Sequence, residues 1–139
     1  MLPEDVHTIT ATEADIAGNE GAQSAPITVT IDASAPIVPS VAPDLTAATD
    51  TGIDNDNITS NTTPTFDVDC TEVGSTATLY TNNPLAGTVA ATHTCATVGL
   101  EAVAVSSALA EEDHALHTTM TDPTGNESAD SPVLSVVDI

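Results

Sequence analysis

The chain has 139 residues, no Lys or Arg, 21 Asp plus Glu, and a formal net charge of −21. With no cationic side chains it cannot neutralise a phosphate backbone, dock on anionic lipid or clamp a nucleotide, so nucleic-acid binding, membrane docking and phosphoryl transfer are excluded as expectations. Its apolar runs are too short to span a bilayer and no signal peptide is visible, yet hydrophobic residues make up 40% and the mean hydropathy is +0.09, enough for a core.

That core is expected to be aliphatic, because the chain holds one Phe, one Tyr and no Trp. Val, Ile and Thr suit a pleated surface better than a helix. So many like charges oppose compaction unless cations offset them, which points to divalent metal, high salt or both. A segment of a longer secreted chain fits this composition.

From the N-terminus, His7, Ile9 and Ala11 alternate with Thr8, Thr10 and Thr12, the period of a strand that ends before Glu13. The turn Asp15-Ile-Ala-Gly-Asn19 follows, with Gly18 and Asn19 expected at positive φ. Ile27, Val29 and Ile31 then alternate with Thr28 and Thr30 and close a hairpin. Residues 37–45 read as an edge strand, the only place where Pro39 and Pro43 fit. Residues 46–63 are a polar loop. Thr65–Cys70 alternates, with Phe66, Val68 and Cys70 inward. Residues 77–80, 85–94 and 101–109 supply further strands, with turns at Gly74 and at Asn82-Asn83-Pro84. The stretch 102–112 has the Ala content of a helix, but Val103 and Val105 alternate, which favours a strand.

The C-terminal part repeats the N-terminal one. At an offset of 107, His7 matches His114, Ile9 matches Leu116, Asp15 matches Asp122, and Gly18-Asn19-Glu20 matches Gly125-Asn126-Glu127. With one residue lost before Pro132, Asp32 then matches Asp138. The chain therefore reads as a hairpin remnant of one repeat, residues 1–32, followed by a whole repeat, residues 33–139. About seven short strands without a convincing helix indicate an all-β, Ig-like antiparallel β-sandwich.

The segments HTITATEADIAGNEGAQSAPITVTID, APDLTAATDTGIDNDNITSNTTPTF and GSTATLY resemble the bacterial immunoglobulin-like repeats of giant secreted adhesins, the tandem arrays of RTX-type and biofilm-associated surface proteins. The likeness covers most of the chain and weakens between Cys70 and Leu109; Cys70 and Cys95 depart from the usual pattern. The resemblance implies a spacer or adhesive repeat at the cell surface, calcium at domain junctions, and export by a dedicated secretion system.

Calcium takes six to eight oxygens from carboxylates, amides and carbonyls. The loop with Asp50, Asp54, Asn55, Asp56 and Asn57 offers five such side chains. The turns add Asp15, Asp122 and Asn126, and the strand ends add Asp32 and Asp138. In an Ig-like sandwich the F–G turn lies where the chain enters, so Asp32 is expected near Asp122, across a linker spanning roughly 10 Å. Asp50, Asp54 and Asp56 are expected near Asp138, facing the next domain. Solvated acidic turns are the alternative, since Asp and Asn favour turns on their own.

Cys70 and Cys95 are an even pair in a chain that reads as secreted and are candidates for a disulfide; two separate core cysteines are the alternative. His114 and His117 are three apart on a strand and face opposite ways, which argues against a shared zinc. No nucleophile elbow accompanies any Ser-His-Asp set, so no catalysis is expected. Three Asn-X-Ser/Thr patterns begin at Asn57, Asn61 and Asn126. The expected function is a calcium-rigidified, non-catalytic extender repeat whose partners are neighbouring Ig-like repeats. The alternatives are a subunit of an extracellular filament joined through residues 1–32 by strand complementation, and a carbohydrate- or receptor-binding module.

Overall fold

A computed structural model describes residues 2–53, 55–81 and 87–134. The chain divides into two compact units, Met1–Ser34 and Ala35–Ile139.

The first unit is a hairpin of β1 (Asp5–Ile9) and β2 (Ile27–Ile31), antiparallel, with Asp5 opposite Ile31 and Ile9 opposite Ile27. The arms stay joined beyond Ile9. Ser24 N donates to Ala11 O at 2.8 Å, Gly21 N donates to Glu13 O at 2.8 Å, and Ala14 bridges Glu20. The strand itself ends at Ile9, before Glu13 as expected, while single backbone hydrogen bonds carry the pairing of the arms on toward the turn. A two-stranded ribbon cannot bury its own faces, and Leu2, Val6, Ile9 and Ile27 are all exposed.

The second unit holds β3 (Asp44–Leu45), β4 (Thr65–Cys70), β5 (Thr76–Thr81), β6 (Thr88–Thr94), β7 (Gly99–Ala104) and β8 (Leu116–Thr121). They form two antiparallel sheets, ordered β3-β4-β7 and β6-β5-β8. No helix occurs among the described residues. The all-β sandwich read from the sequence is the fold. Strict alternation builds its core: Phe66, Val68 and Cys70 from β4 and Ala77 and Leu79 from β5 meet Ala91, Val103, Val105, Leu116 and Met120, all buried. A register shift between Leu79 and Tyr80 leaves one extra residue on β6. This bulge lets consecutive Ala90 and Ala91 both be buried.

Three expected strands are shorter than the pattern suggested. Of residues 37–45 only Asp44–Leu45 pairs in a ladder. Pro39 and Pro43 lack the donors a ladder needs, so side chains hold this segment instead. Ser40 donates from N and Oγ to Asp69 Oδ2 at 2.8 and 3.0 Å, and Thr71 Oγ1 donates to Ile37 O at 2.8 Å. The strand expected over 101–109 runs Gly99–Ala104; beyond it Val105 N donates to Pro64 O and Ser106 N to Ala90 O, two different neighbours. The strand expected from Leu85 is β6, Thr88–Thr94, while the Asn82–Pro84 turn and Leu85 lie outside the described residues.

The internal repeat extends to several single hydrogen bonds. Ser24 N to Ala11 O has its counterpart in Ser131 N to Thr118 O, and Gly21 N to Glu13 O in Ser128 N to Met120 O. His7 Nε2 meets Pro3 O at 2.7 Å, as His114 Nε2 meets Ala110 O at 2.9 Å. Ile9 pairs with Ile27 as Leu116 bridges Leu134, so the offset of 107 holds through Leu134. The residue expected to be lost before Pro132 is not lost there. Backbone partners, not side-chain identity, set the register.

Candidate functional site

The loop joining β3 to β4 is pinned at its base by hydroxyls. Thr49 Oγ1 accepts from Thr65 N at 3.1 Å, and Thr59 Oγ1, on a buried side chain, donates to Thr49 O at 2.6 Å. Asp50 N donates to Thr46 O at 2.9 Å, which turns the Asp50 side chain into the loop. There Asp50 Oδ2 accepts from Asn55 N at 2.7 Å. The loop coils through left-handed backbone at Gly52, Asn55 and Asn57, with φ of 100°, 66° and 60°. Asn tolerates this region better than other side-chain-bearing residues.

Asp50 is 7% exposed, and its Oδ1 is buried without a hydrogen-bond partner. A carboxylate oxygen left so is costly, and the chain has no Lys or Arg to pair with it. A cation satisfies such an oxygen directly. The oxygen-bearing side-chain types of this loop, Asp, Asn and Thr, are those that suit a hard ion such as Ca²⁺ rather than zinc. Asp56 Oδ1 accepts from Ile58 N at 3.0 Å. Asp54 and Asp138 lie outside the described residues. Among the described residues no three His, Cys, Asp or Glu side chains converge on one point.

The two acidic hairpin turns are built alike. Asp15 Oδ1 accepts from Ala17 N and Asn19 N, both at 2.9 Å, and Oδ2 accepts from Asn19 Nδ2 at 2.8 Å. Asp122 Oδ1 accepts from Thr124 N, Thr124 Oγ1 and Asn126 N at 2.8–2.9 Å, and Oδ2 from Asn126 Nδ2 at 2.8 Å. Each turn needs one left-handed residue, Gly18 (φ 87°) or Gly125 (φ 95°). Asn19 was expected at positive φ as well; it is not there, because its amide is used to clasp Asp15. The Asn19 side chain and backbone N–H hold the Asp15 carboxyl below its usual range. At Asp122 burial pushes upward, but the Asn126 amide, the Thr124 hydroxyl and the turn N–H groups outweigh it and bring the carboxyl to about 2. These two aspartates organise their own turns. Asp122→Ala is expected to lower Tm by several degrees, since it strands the Thr124 and Asn126 N–H groups beside buried chain; Asp122→Asn, which keeps an acceptor, is expected to lose less. Differential scanning calorimetry reads both.

Asp32 Oδ1 accepts from Ser34 N at 3.1 Å. Glu4, not singled out in the sequence, binds the same stretch by accepting from Ala33 N at 2.6 Å and Ser34 Oγ at 2.9 Å.

A second polar group missed in the sequence joins the two sheets. His93 on β6 and Glu101 on β7 both point inward, and His93 Nε2 meets Glu101 Oε2. Glu101 also accepts from Thr97 N, Thr97 Oγ1 and Ala96 N. The His93 contact first, then Thr97, hold its carboxyl at about 2 against an ordinary 4.5. The signal was present: each residue continues the inward track of its strand, after Ala91 and before Val103. A depressed carboxyl stabilises the fold above its unfolded value and ceases to do so as pH falls through its folded value. The Tm difference between the parent and Glu101→Gln is therefore expected to be wide at pH 7 and to close between about pH 4.5 and 2.

Cys70 and Cys95 are joined by a disulfide, Cα to Cα 5.7 Å, that ties the end of β4 to the residue after β6 and so crosses between the sheets. Both are buried. His114 is bonded to Ala110 O, whereas His117 stacks on Tyr80 at 5.1 Å with planes 11° apart and lies 3.9 Å from Asp130.

The family model described as "Bacterial Ig-like domain" matches residues 37–139. No curated protein matches the chain. Among solved structures the chain is similar to one titled "Biofilm associated protein - BSP domain", at 19% identity and a TM-score of 0.44, covering 99% of this chain and 20% of that one. The chain thus spans about a fifth of that protein's length. On the match over residues 37–139, together with the two packed antiparallel sheets, the chain belongs to the bacterial Ig-like domain family.

Proposed function

We propose that this chain is a non-catalytic extender segment of a secreted bacterial surface adhesin, stiffened by Ca²⁺. The observation that carries the metal is Asp50 Oδ1, a buried oxygen without a hydrogen-bond partner in a chain without cations. Extracellular placement is supported by the buried disulfide, which persists in oxidising compartments. The mechanism is mechanical: each sandwich keeps its place in a rod, and a bound ion removes like-charge repulsion while fixing the loop that holds it. Asp50 anchors one ion, with Asp54 and Asp56 as further donors.

Isothermal titration of the full chain with CaCl₂ tests this. Saturable binding that falls by one ion in Asp50→Asn is expected. Binding that is absent, or unchanged by the substitution, refutes the Asp50 site.

The exposed apolar residues of the hairpin favour a second reading, a filament joined through residues 1–32. Size-exclusion chromatography separates the two: a monomer is expected for the extender. Polymers abolished by deleting residues 1–32 would instead establish the filament.

A further inference from the structure

In several backbone hydrogen bonds the hairpin of residues 5–32 matches the arms that close the sandwich of residues 35–134. Ile9 occupies the place of Leu116, Ala11 that of Thr118, and Glu13 that of Met120. Leu116, Thr118 and Met120 are 0%, 1% and 0% exposed. A hairpin so alike in backbone and in its first inward residue is a ready substitute for the native one. If such hairpins exchanged between successive repeats, the array would misassemble.

One inward position breaks the likeness. Met120 pairs with Ala77, and Ala77 pairs on its other side with His93. Glu13 in that place would set a carboxylate in the aliphatic core. The only basic group in that row, His93, is already held by Glu101, and the chain has no Lys or Arg to offer. A charge buried without a partner is among the most costly changes a core can suffer. Besides the smaller Ala11 in place of Thr118, two further differences are milder. Thr10 replaces His117 and would lose the stack on Tyr80, and Gly21 replaces Ser128 and would lose the hydroxyl that receives Met120 N at 3.0 Å.

We propose that Glu13 is a pairing-specificity residue, which bars the hairpin of residues 5–32 from closing the sandwich of residues 35–134 in place of that sandwich's own arms. The proposal rests on reading the chain as consecutive repeats.

The test replaces residues 112–139 of the full chain with a copy of residues 5–32. The copy carries Thr10→His and Gly21→Ser, so that the two mild differences are removed. A companion chain carries Glu13→Met in the copy as well. The expected result is no cooperative thermal transition for the chain that keeps Glu13, and a transition within about 15 °C of the parent for the Glu13→Met chain. A cooperative transition in both chains, or in neither, overturns the proposal, because Glu13 would then not be the deciding residue. All melts are read in chelator, so failure of the calcium reading leaves the outcome unaffected, and failure here leaves the calcium titration intact.

Discussion

In millimolar calcium the chain is expected to melt well above its Tm in chelator, by about 10–20 °C for an ion present at about a hundred times its Kd, which contributes about 2.7 kcal/mol. The sign of the effect at Asp50 separates a bound ion from simple screening. With chelator, Asp50→Asn is expected to melt at or above the parent, because an amide removes a buried negative charge that has no counter-ion. With calcium the order is expected to reverse, because the amide is the weaker ligand. Sodium chloride at about 1 M shortens the Debye length to about 3 Å and relieves surface repulsion without filling a site. A shift fully reproduced by sodium, or an order of Tm that does not reverse, would show that the ion acts on the overall charge and not at Asp50.

Removal of the Cys70–Cys95 bond is expected to be as large. The loop it closes spans 25 residues, and the chain-entropy model gives about 3 kcal/mol for such a loop. For a domain of this size that corresponds to about 10–20 °C in Tm. Cys70→Ala with Cys95→Ala leaves two small voids where both sulfurs were buried, which adds to the loss. Calorimetry of the parent with and without reductant, beside the double variant, measures the two contributions. A Tm insensitive to reductant while the thiols titrate as free would show that the tie adds nothing. The disulfide joins the sheets at β4 and β6, and the His93–Glu101 pair joins them at β6 and β7. A core with one Phe and no Trp is thin, so covalent and polar ties between its layers carry a larger share of the stability.

Much of the sandwich is legible in residue order because strand periodicity is local. Phe66, Val68 and Cys70 alternate with Thr65, Asp67 and Asp69 in the sequence and are buried in that same alternation. The duplication at an offset of 107 is legible for the same reason, since turn chemistry at Asp15 and Asp122 repeats in short, contiguous blocks. Where one residue type serves two purposes, local reading fails. Asp15 and Asp122 look like ligands, yet their oxygens are occupied by the turn's own N–H groups. Glu4 and Glu101 look like surface acids, yet each closes contacts with distant or inward-facing groups.

The amino-acid order alone determined the strand-forming segments, the aliphatic character of the core, the acidic surface and the paired hairpins, because these depend on side-chain type and on periods of a few residues. Only the tertiary structure decided which carboxylate is left buried without a partner, that the two cysteines are joined, and where the two hairpins differ inside a core. Those outcomes depend on what the other sheet places opposite each residue, and that distance in sequence has no periodic trace.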